Sequence, residues 1–374
     1  MTAQQDDEIR QIEAQAAPTR FARGWHCLGL VRDFGGGKPH SIEAFGTKLV
    51  VFRGGDGKLN VLDAYCRHMG GDLSDGEIKG NEVACPFHDW RWGGDGRCKQ
   101  IPYARRVPPL ARTRGWTTLE QDGMLFVWHD PEGSKPSVDI PRIEGAGSDE
   151  WTDWHWYTTL VHTNCREIID NIVDMAHFFY IHGALPTYFR NVFEGHVATQ
   201  YFDGGSREDL APPGSKMLGS TSVASYYGPS FMIDDLTYHY EDGDQQTVLI
   251  NCHYPVDANS FVLQYGIMVR KSEHLPEDEA MATAIALGDW VKLGFEQDVA
   301  IWKRKARIDN PLLCEEDGPV YQLRRWYEQF YVDAADVTPQ MTDRFEFELD
   351  TTRPLEAWNQ QVQANIAARE AETV

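Results

Sequence analysis

Cys66 and His68, then Cys85 and His88, are the residues of this chain whose types and spacing best suit metal chemistry. They stand in YCRHMGGDL and ACPFHDW, with sixteen residues between His68 and Cys85. Two thiolates and two imidazoles satisfy either one zinc ion or a cluster of two irons. Residue order separates the two. A Cys2His2 zinc finger keeps its cysteines together and its histidines together, whereas each pair here is mixed, Cys-x-His and then Cys-x-x-His. With two irons, each loop gives a thiolate to one metal and an imidazole to the other. Neutral imidazoles leave less negative charge than four thiolates, so the reduction potential rises and couples to imidazole protonation. The flanks MGGDL and WRWGGDG let backbone approach inorganic sulfide, and Pro86 stiffens the second loop.

A second group lies further along. DNIVDMAHFFYIHG places Asp174, His177 and His182 close together. Asp174 and His177, three apart, share a helix face. His177 and His182, five apart, differ by about 140° round an ideal helix, so both reach one metal only if the helix is distorted or ends between them. Two histidines and a carboxylate form the facial triad of mononuclear non-haem Fe(II) enzymes, which leaves coordination positions open. LGFEQDVAIWKRK offers Glu296 and Asp298 as the carboxylate, and spacing alone does not choose between them.

These groups need two kinds of support. The 374 residues exceed one typical domain, and 42% apolar content with 12 Trp, 17 Phe and 15 Tyr is ample for a core. Residues 5–16 read as a polar helix, placing 1–24 as a helical segment packed on the C-terminal part. From 25 to 130 the pattern is short strands and turns, including the hairpin KLVVFRGGDGKLNVLDAYC and the closing strand GMLFVWHD. Residues 131–150 read as a Pro/Gly/Ser-rich linker. In 151–374, WHWYTTLVHT alternates as a strand, and NCREIIDNIVDMAHFFYIHG has helical spacing to Gly183. Strands are expected at 192–202, 220–227, 231–240, 246–256 and 260–270, with a flexible stretch at 203–218 over a pocket mouth. MATAIALGDWVKLGFEQDVAIWKRKARI and PLEAWNQQVQANIAAREAE read as helices. The expectation is an α+β chain: an all-β N-terminal domain, then an antiparallel sheet wrapped on helices.

Charge and cysteine use narrow the class. A net charge of −22, with 57 acids against 35 bases, opposes nucleic acid and anionic membrane surfaces, and it offers a docking face to a basic partner. MTAQQDDEIRQIEAQ lacks the apolar core of a secretory signal, and no apolar run is long enough to span a bilayer. Seven cysteines are too few for a disulfide scaffold; Cys27, Cys98, Cys165, Cys252 and Cys314 read as buried free thiols, in keeping with a reducing cytoplasm.

CRH…CPFH, following ARGWH, resembles the Rieske [2Fe–2S] motif as it occurs in the large component of Rieske non-haem iron oxygenases. NCREIIDNIVDMAHFFYIHG, RIDNPLLCEEDGPVYQLRRWYEQFYVD and RFEFELDTTRP resemble the oxygenase components of 3-ketosteroid 9α-hydroxylases. The resemblance implies a Rieske domain followed by a helix-grip-like catalytic domain, with Cys66, His68, Cys85 and His88 on the cluster. It implies Fe(II) at His177, His182 and Asp298, the aspartate chosen because the family has Asp before xxxW and DVAIW matches. It implies a homotrimer in which Asp174 bridges a neighbouring subunit's cluster histidine, matched by His88, to the iron ligand His177. Dioxygen is then the co-substrate, and NADH acts only through a separate flavin and iron–sulfur ferredoxin reductase. The implied reaction is C9 hydroxylation of a steroid such as androstenedione or androstadienedione in bacterial steroid degradation. A flat apolar substrate needs a long apolar pocket with a polar group for its ketone; Phe231, Met232 and Asn251 are the expected lining, Asn251 as donor. The alternatives are a Rieske oxygenase for another hydrophobic or aromatic substrate, including steroids bearing a side chain or its CoA thioester, a pure electron carrier, and a zinc-stabilised structural protein.

Overall fold

The computed structural model describes residues 11–211, 214–271 and 277–372. Three antiparallel sheets carry the architecture. Strands Gly24–Leu30, His40–Ala44, Thr47–Arg53, Leu59–Asp63, Gly115–Gln121 and Met124–His129 form a six-stranded sheet. The expected hairpin is its pair Thr47–Arg53 and Leu59–Asp63. A small four-stranded sheet, Glu77–Lys79, Glu82–Ala84, Arg91–Gly93 and Cys98–Gln100, is inserted between Leu59–Asp63 and Gly115–Gln121. It supports the two Cys/His loops.

The eight-stranded sheet positions everything else. In spatial order its strands are His155–Val161, Ser260–Val269, Gly243–Asp257, Phe231–Tyr240, Met217–Tyr227, Val197–Ser206, Ala184–Glu194 and Phe345–Glu348. Alternating side chains give it two different faces. One face carries Phe231, Ile233, Val248, Ile250, Cys252 and Met268, which share a buried core with Trp25, Phe126 and Trp128 of the six-stranded sheet. Phe126 meets Phe231 edge-on at 4.9 Å. The other face lies under helix Glu277–Trp302 and encloses a cavity.

Polar ties lock the two sheets together. Gln264 Nε2 donates to Cys27 O at 3.0 Å, and Ser230 Oγ to Trp25 O at 3.0 Å. His26 and His129 each place a ring nitrogen 3.1 Å from the same carbonyl, Ala22 O. Burial holds these imidazoles neutral: His26 is lowered to about 4, and His129 and the nearby His253 to about 3.

Several sequence expectations are corrected. The helix at 5–16 falls partly outside the described residues; its described part, 11–16, is not helical. The segment does lie on the C-terminal part, but as irregular chain. Glu13 N donates to Asn310 Oδ1 and Asp309 N to Glu13 O, so this backbone is spent on the neighbour rather than on a helix. The linker 131–150 is a packed connector, because Ile140 and Ile143 are buried in the inter-sheet core. The expected strand 192–202 is two strands, Ala184–Glu194 and Val197–Ser206, turning at Gly195, whose φ is +56°. In the stretch 203–218, Asp203–Ser206 is strand and Arg207 is buried. Cys314 is exposed, not buried. Helix Val320–Glu328 and edge strand Phe345–Glu348 were not among the expected elements, although Val320, Leu323 and Tyr327 recur at helical spacing and FEFE alternates as a strand does.

Candidate active site

The two Cys/His loops close in the same way. Cys66 N donates to Gly71 O and Gly70 N to Cys66 O; Cys85 N donates to Trp90 O and Asp89 N to Cys85 O. Each loop needs a left-handed residue four positions after its cysteine, Gly70 with φ +77° and Asp89 with φ +54°. Asp89 takes up that strained backbone where Lys79 and Arg91 both pair with its carboxylate, at 2.8 and 3.1 Å. The closure turns the ligand atoms toward one another. The rings of His68 and His88 lie 4.7 Å apart, and His68 stacks on Trp90 at 4.5 Å.

Two observations test whether an iron–sulfur cluster fits. His68 Nδ1 and His88 Nδ1 are buried without hydrogen-bond partners among the described residues, which costs free energy unless another group takes the lone pair. A Cβ on Gly71 would stand 2.7 Å from Cys85 Sγ, so the space beside that sulfur exists because residue 71 has no side chain. Burial, together with the neighbouring Cys85 sulfur, raises the Cys66 thiol. A positive metal centre reverses that preference and favours the thiolate. The donor set and its surroundings fit the cluster.

The second group is assembled by a broken helix and a straight one. The 166–183 segment is not the continuous helix its periodicity predicts. It runs as helix Arg166–Ile169 and a 3-10 turn to Val173, becomes extended at Asp174 (φ −95°, ψ 98°), and resumes as helix Ala176–Tyr180. The last turn is widened: His177 O accepts from both Ile181 N and His182 N, the latter an i to i+5 bond. This brings His177 and His182 to 5.0 Å between ring centroids. Gly183, with φ +67°, carries the chain away.

Helix Glu277–Trp302 supplies the carboxylate. Trp290, Gly294 and Asp298, each four apart, share one face toward the cavity. Glu296 lies about 200° round from Gly294, on the outer face, where it pairs with Lys292 at 3.9 Å. Asp298 is buried, and its Oδ2 lies 3.4 Å from His182 Nε2. One donor atom from each of His177, His182 and Asp298 falls within 4.8 Å of the others. A Cβ at Gly294 would stand 3.3 Å from His182 Nδ1, so a side chain there would press on the His182 ring.

Asp174 orients the site. His177 Nδ1 donates to the Asp174 backbone carbonyl, and Asp174 Oδ1 accepts from His177 N at 3.2 Å. That leaves His177 Nε2 for a metal. Burial lowers the His177 pKa, Asp174 and Asp298 opposing the shift, so the imidazole is kept neutral as a ligand requires. The Asp174 carboxylate is half exposed. Two partly buried imidazoles and a buried carboxylate with open space beside them fit a mononuclear Fe(II) centre.

A cavity of roughly 520 Å3 opens from these three residues. Its floor is a checkerboard of same-face residues from four neighbouring strands, among them Gln200, Ser222, Tyr226, Met232, Asp234 and Asn251. Phe231 is not part of it. Adjacent strand residues point to opposite faces, so with Met232 in the cavity Phe231 must enter the inter-sheet core. Asn251 is buried beside the cavity, and its Oδ1 has no partner among the described residues. Gln200, Tyr226, Asp234, Trp290 and Trp302 also line it and escaped sequence reasoning. Asp234 shares its strand with Asp235, Thr237 and His239, so nothing in the sequence set it apart from a solvated acid.

Comparison with known proteins follows the same division. Residues 24–111 match the Rieske [2Fe-2S] domain family, and residues 127–331 match the family described as 3-ketosteroid 9alpha-hydroxylase C-terminal domain. The chain is 67% identical over 372 residues to a 3-ketosteroid-9-alpha-monooxygenase oxygenase component of Rhodococcus rhodochrous, covering 98% of this chain and 94% of that one. It is 60% identical to the Mycobacterium tuberculosis (strain ATCC 25618 / H37Rv) protein of that name, over 97% of this chain and 95% of the other. In fold it is similar to dicamba monooxygenase bound to 3,6-dichlorosalicylic acid, with a TM-score of 0.69 at 18% identity over 86% of this chain and 100% of that one.

Proposed function

Because the chain belongs to the family of 3-ketosteroid 9α-hydroxylase oxygenase components, we propose that it hydroxylates C9 of a 3-ketosteroid of the androstenedione type with dioxygen. The observation that carries this is the roughly 520 Å3 cavity opening on His177, His182 and Asp298, within the size range of small-molecule sites. Cys66, His68, Cys85 and His88 would hold the [2Fe–2S] cluster, and His177, His182 and Asp298 the Fe(II). When bound, these groups supply one-electron transfer and activation of dioxygen. The protein's own residues do the rest. Asp174 fixes the His177 ring, helix Glu277–Trp302 covers one side of the cavity, and the sheet floor presents the steroid. Electrons come from a separate reductase, as the designation of the relatives as oxygenase components implies. The domain division that goes with this reading is 25–130, a connector at 131–150, and 151–374.

The reading includes a homotrimer in which the partner subunit's His88 faces Asp174. Three features support it. The Asp174 carboxylate is half exposed beside His177. Met69 and Phe87 on the cluster loops are 64% and 59% exposed, and Tyr180 beside the iron site is 60% exposed, so both ends of the route carry uncovered apolar surface. A cytoplasmic location suits a chain with seven cysteines and no disulfide among the described residues. No described helix is long and apolar enough to cross a membrane.

Turnover with a ferredoxin reductase, NADH and androstadienedione tests the proposal. The expected result is a 9α-hydroxylated product, and its absence from a preparation loaded with both metal centres would sink the steroid assignment. Iron content of about three per chain separates the oxygenase from a pure electron carrier, which would hold about two.

A further inference from the structure

The cavity floor carries, among the described residues, a carboxyl for which the iron chemistry has no use. Asp234 sits on strand Phe231–Tyr240, is buried, and lines the cavity. Ser222 Oγ, from the neighbouring strand, donates to Asp234 Oδ1 at 2.6 Å. Asp234 Oδ2 has no partner among the described residues, so its remaining hydrogen-bonding capacity is directed at whatever fills the cavity.

The surroundings decide its charge. Ser222 and Tyr226 reach the cavity from one neighbouring strand, Leu249 and Asn251 from the other, Tyr238 from its own strand, and Trp290 from the helix above. None of these is a cation. Arg207 also lines the cavity but is committed to Asp209 and Phe179 O. Asp235 points to the opposite face and adds only repulsion. Burial therefore dominates over the Ser222 bond and raises the Asp234 carboxyl to about 7.

We infer that Asp234 is a specificity residue that binds a carbonyl oxygen of the steroid as the neutral acid, donating from Oδ2 while Ser222 holds Oδ1. The inference rests on the steroid reading above and adds a polarity rule to it. A protonated carboxyl presents a donor that a ketone or a hydroxyl can accept; the ionised form only accepts, so it loses the ketone and keeps the hydroxyl at the same place. Asn251 cannot do this, because an amide both donates and accepts at every pH. The ketone-over-alcohol preference therefore falls as pH rises through the neutral range.

The test is equilibrium dialysis of the anaerobic holoenzyme, without reductase, against androstenedione, its 17β-alcohol and its 3β-alcohol at pH 6 and pH 8.5. The ketone-to-alcohol affinity ratio for one of the two alcohols should fall roughly tenfold between these pH values, the scale of one hydrogen bond gained or lost. In Asp234→Asn the ratio should become independent of pH. In Ser222→Ala the midpoint should move to higher pH, since the lost bond had favoured the anion. Cluster absorption and iron content confirm that each variant is folded. A pH-independent ratio in the unaltered protein, or an unchanged pH profile in Asp234→Asn, overturns the inference while leaving the steroid reading intact. Failure of all three steroids to bind at either pH overturns the steroid reading and this inference with it.

Discussion

His68 and His88 stand on two turns within residues 66–88, and each turn closes on itself through the backbone of its own cysteine. His177, His182 and Asp298 are instead gathered from a broken helix and a long helix more than a hundred residues further on. The first arrangement is local, so it depends on loop chemistry: left-handed positions, missing side chains, stacked rings. The second is tertiary, so it depends on how closely helix Glu277–Trp302 lies against the His182 turn. The two groups should accordingly fail separately.

The largest effect is expected from Asp298→Ala. It should abolish hydroxylation and remove the mononuclear iron, with the visible absorption of the cluster unchanged. Retention of that iron would point to another acid and break the assignment. Gly71→Ala is the mirror experiment. Its Cβ would stand 2.7 Å from Cys85 Sγ, so cluster absorption should be largely lost while iron binding at the other site survives. Asp174→Asn keeps the backbone carbonyl that holds the His177 ring and removes only the carboxylate charge, so it should leave both metal contents intact and slow electron transfer between them, roughly 10- to 100-fold. Unchanged single-turnover kinetics would remove Asp174 from the route.

Phe231 and Met232 extend the comparison to neighbouring residues. Phe231→Ala should cost about 3–5 kcal/mol in denaturant unfolding, because it empties the inter-sheet core, whereas Met232→Ala should alter steroid affinity with little change in stability. The last prediction concerns histidines that serve neither metal. His26, His129 and His253 are held by burial at about 4, 3 and 3, below the ordinary 6.5. As pH falls below about 6.5 the unfolded chain takes up these protons first. Stability should then decline by up to ~1.4 kcal/mol per pH unit for each histidine, until the native imidazoles titrate near 3–4. Unfolding free energies between pH 7 and 5 measure this slope, and a flat profile would mean that these rings are already charged in the native state.

The cluster loops were legible in the amino-acid sequence because their geometry is local. Mixed Cys/His pairs, flanking glycines and Pro86 stand within a few residues of one another, and backbone closure within each loop shapes them, the four-stranded sheet and cross-loop packing bringing the two together. The hairpins, the strand at 231–240 and the long helix were legible for the same reason: period and turn residues report neighbours along the chain. His177 and His182 were visible as candidates, but their joint approach was not, since it needs the helix break at Asp174 and the widened turn at His177 O. Spacing alone did not choose Asp298 over Glu296; the family resemblance did, and the physical reason, which helix face meets the cavity, came only with the fold. The displacement of Phe231 from the pocket required knowing which sheet face meets the six-stranded sheet, because a period of two identifies two faces without saying what lies against either. The separation of Asp234 from a solvated acid likewise had to wait for the fold. Residue type and spacing determined which groups could do chemistry here; long-range packing, by setting facing and burial, decided which of them meet and in what state of charge.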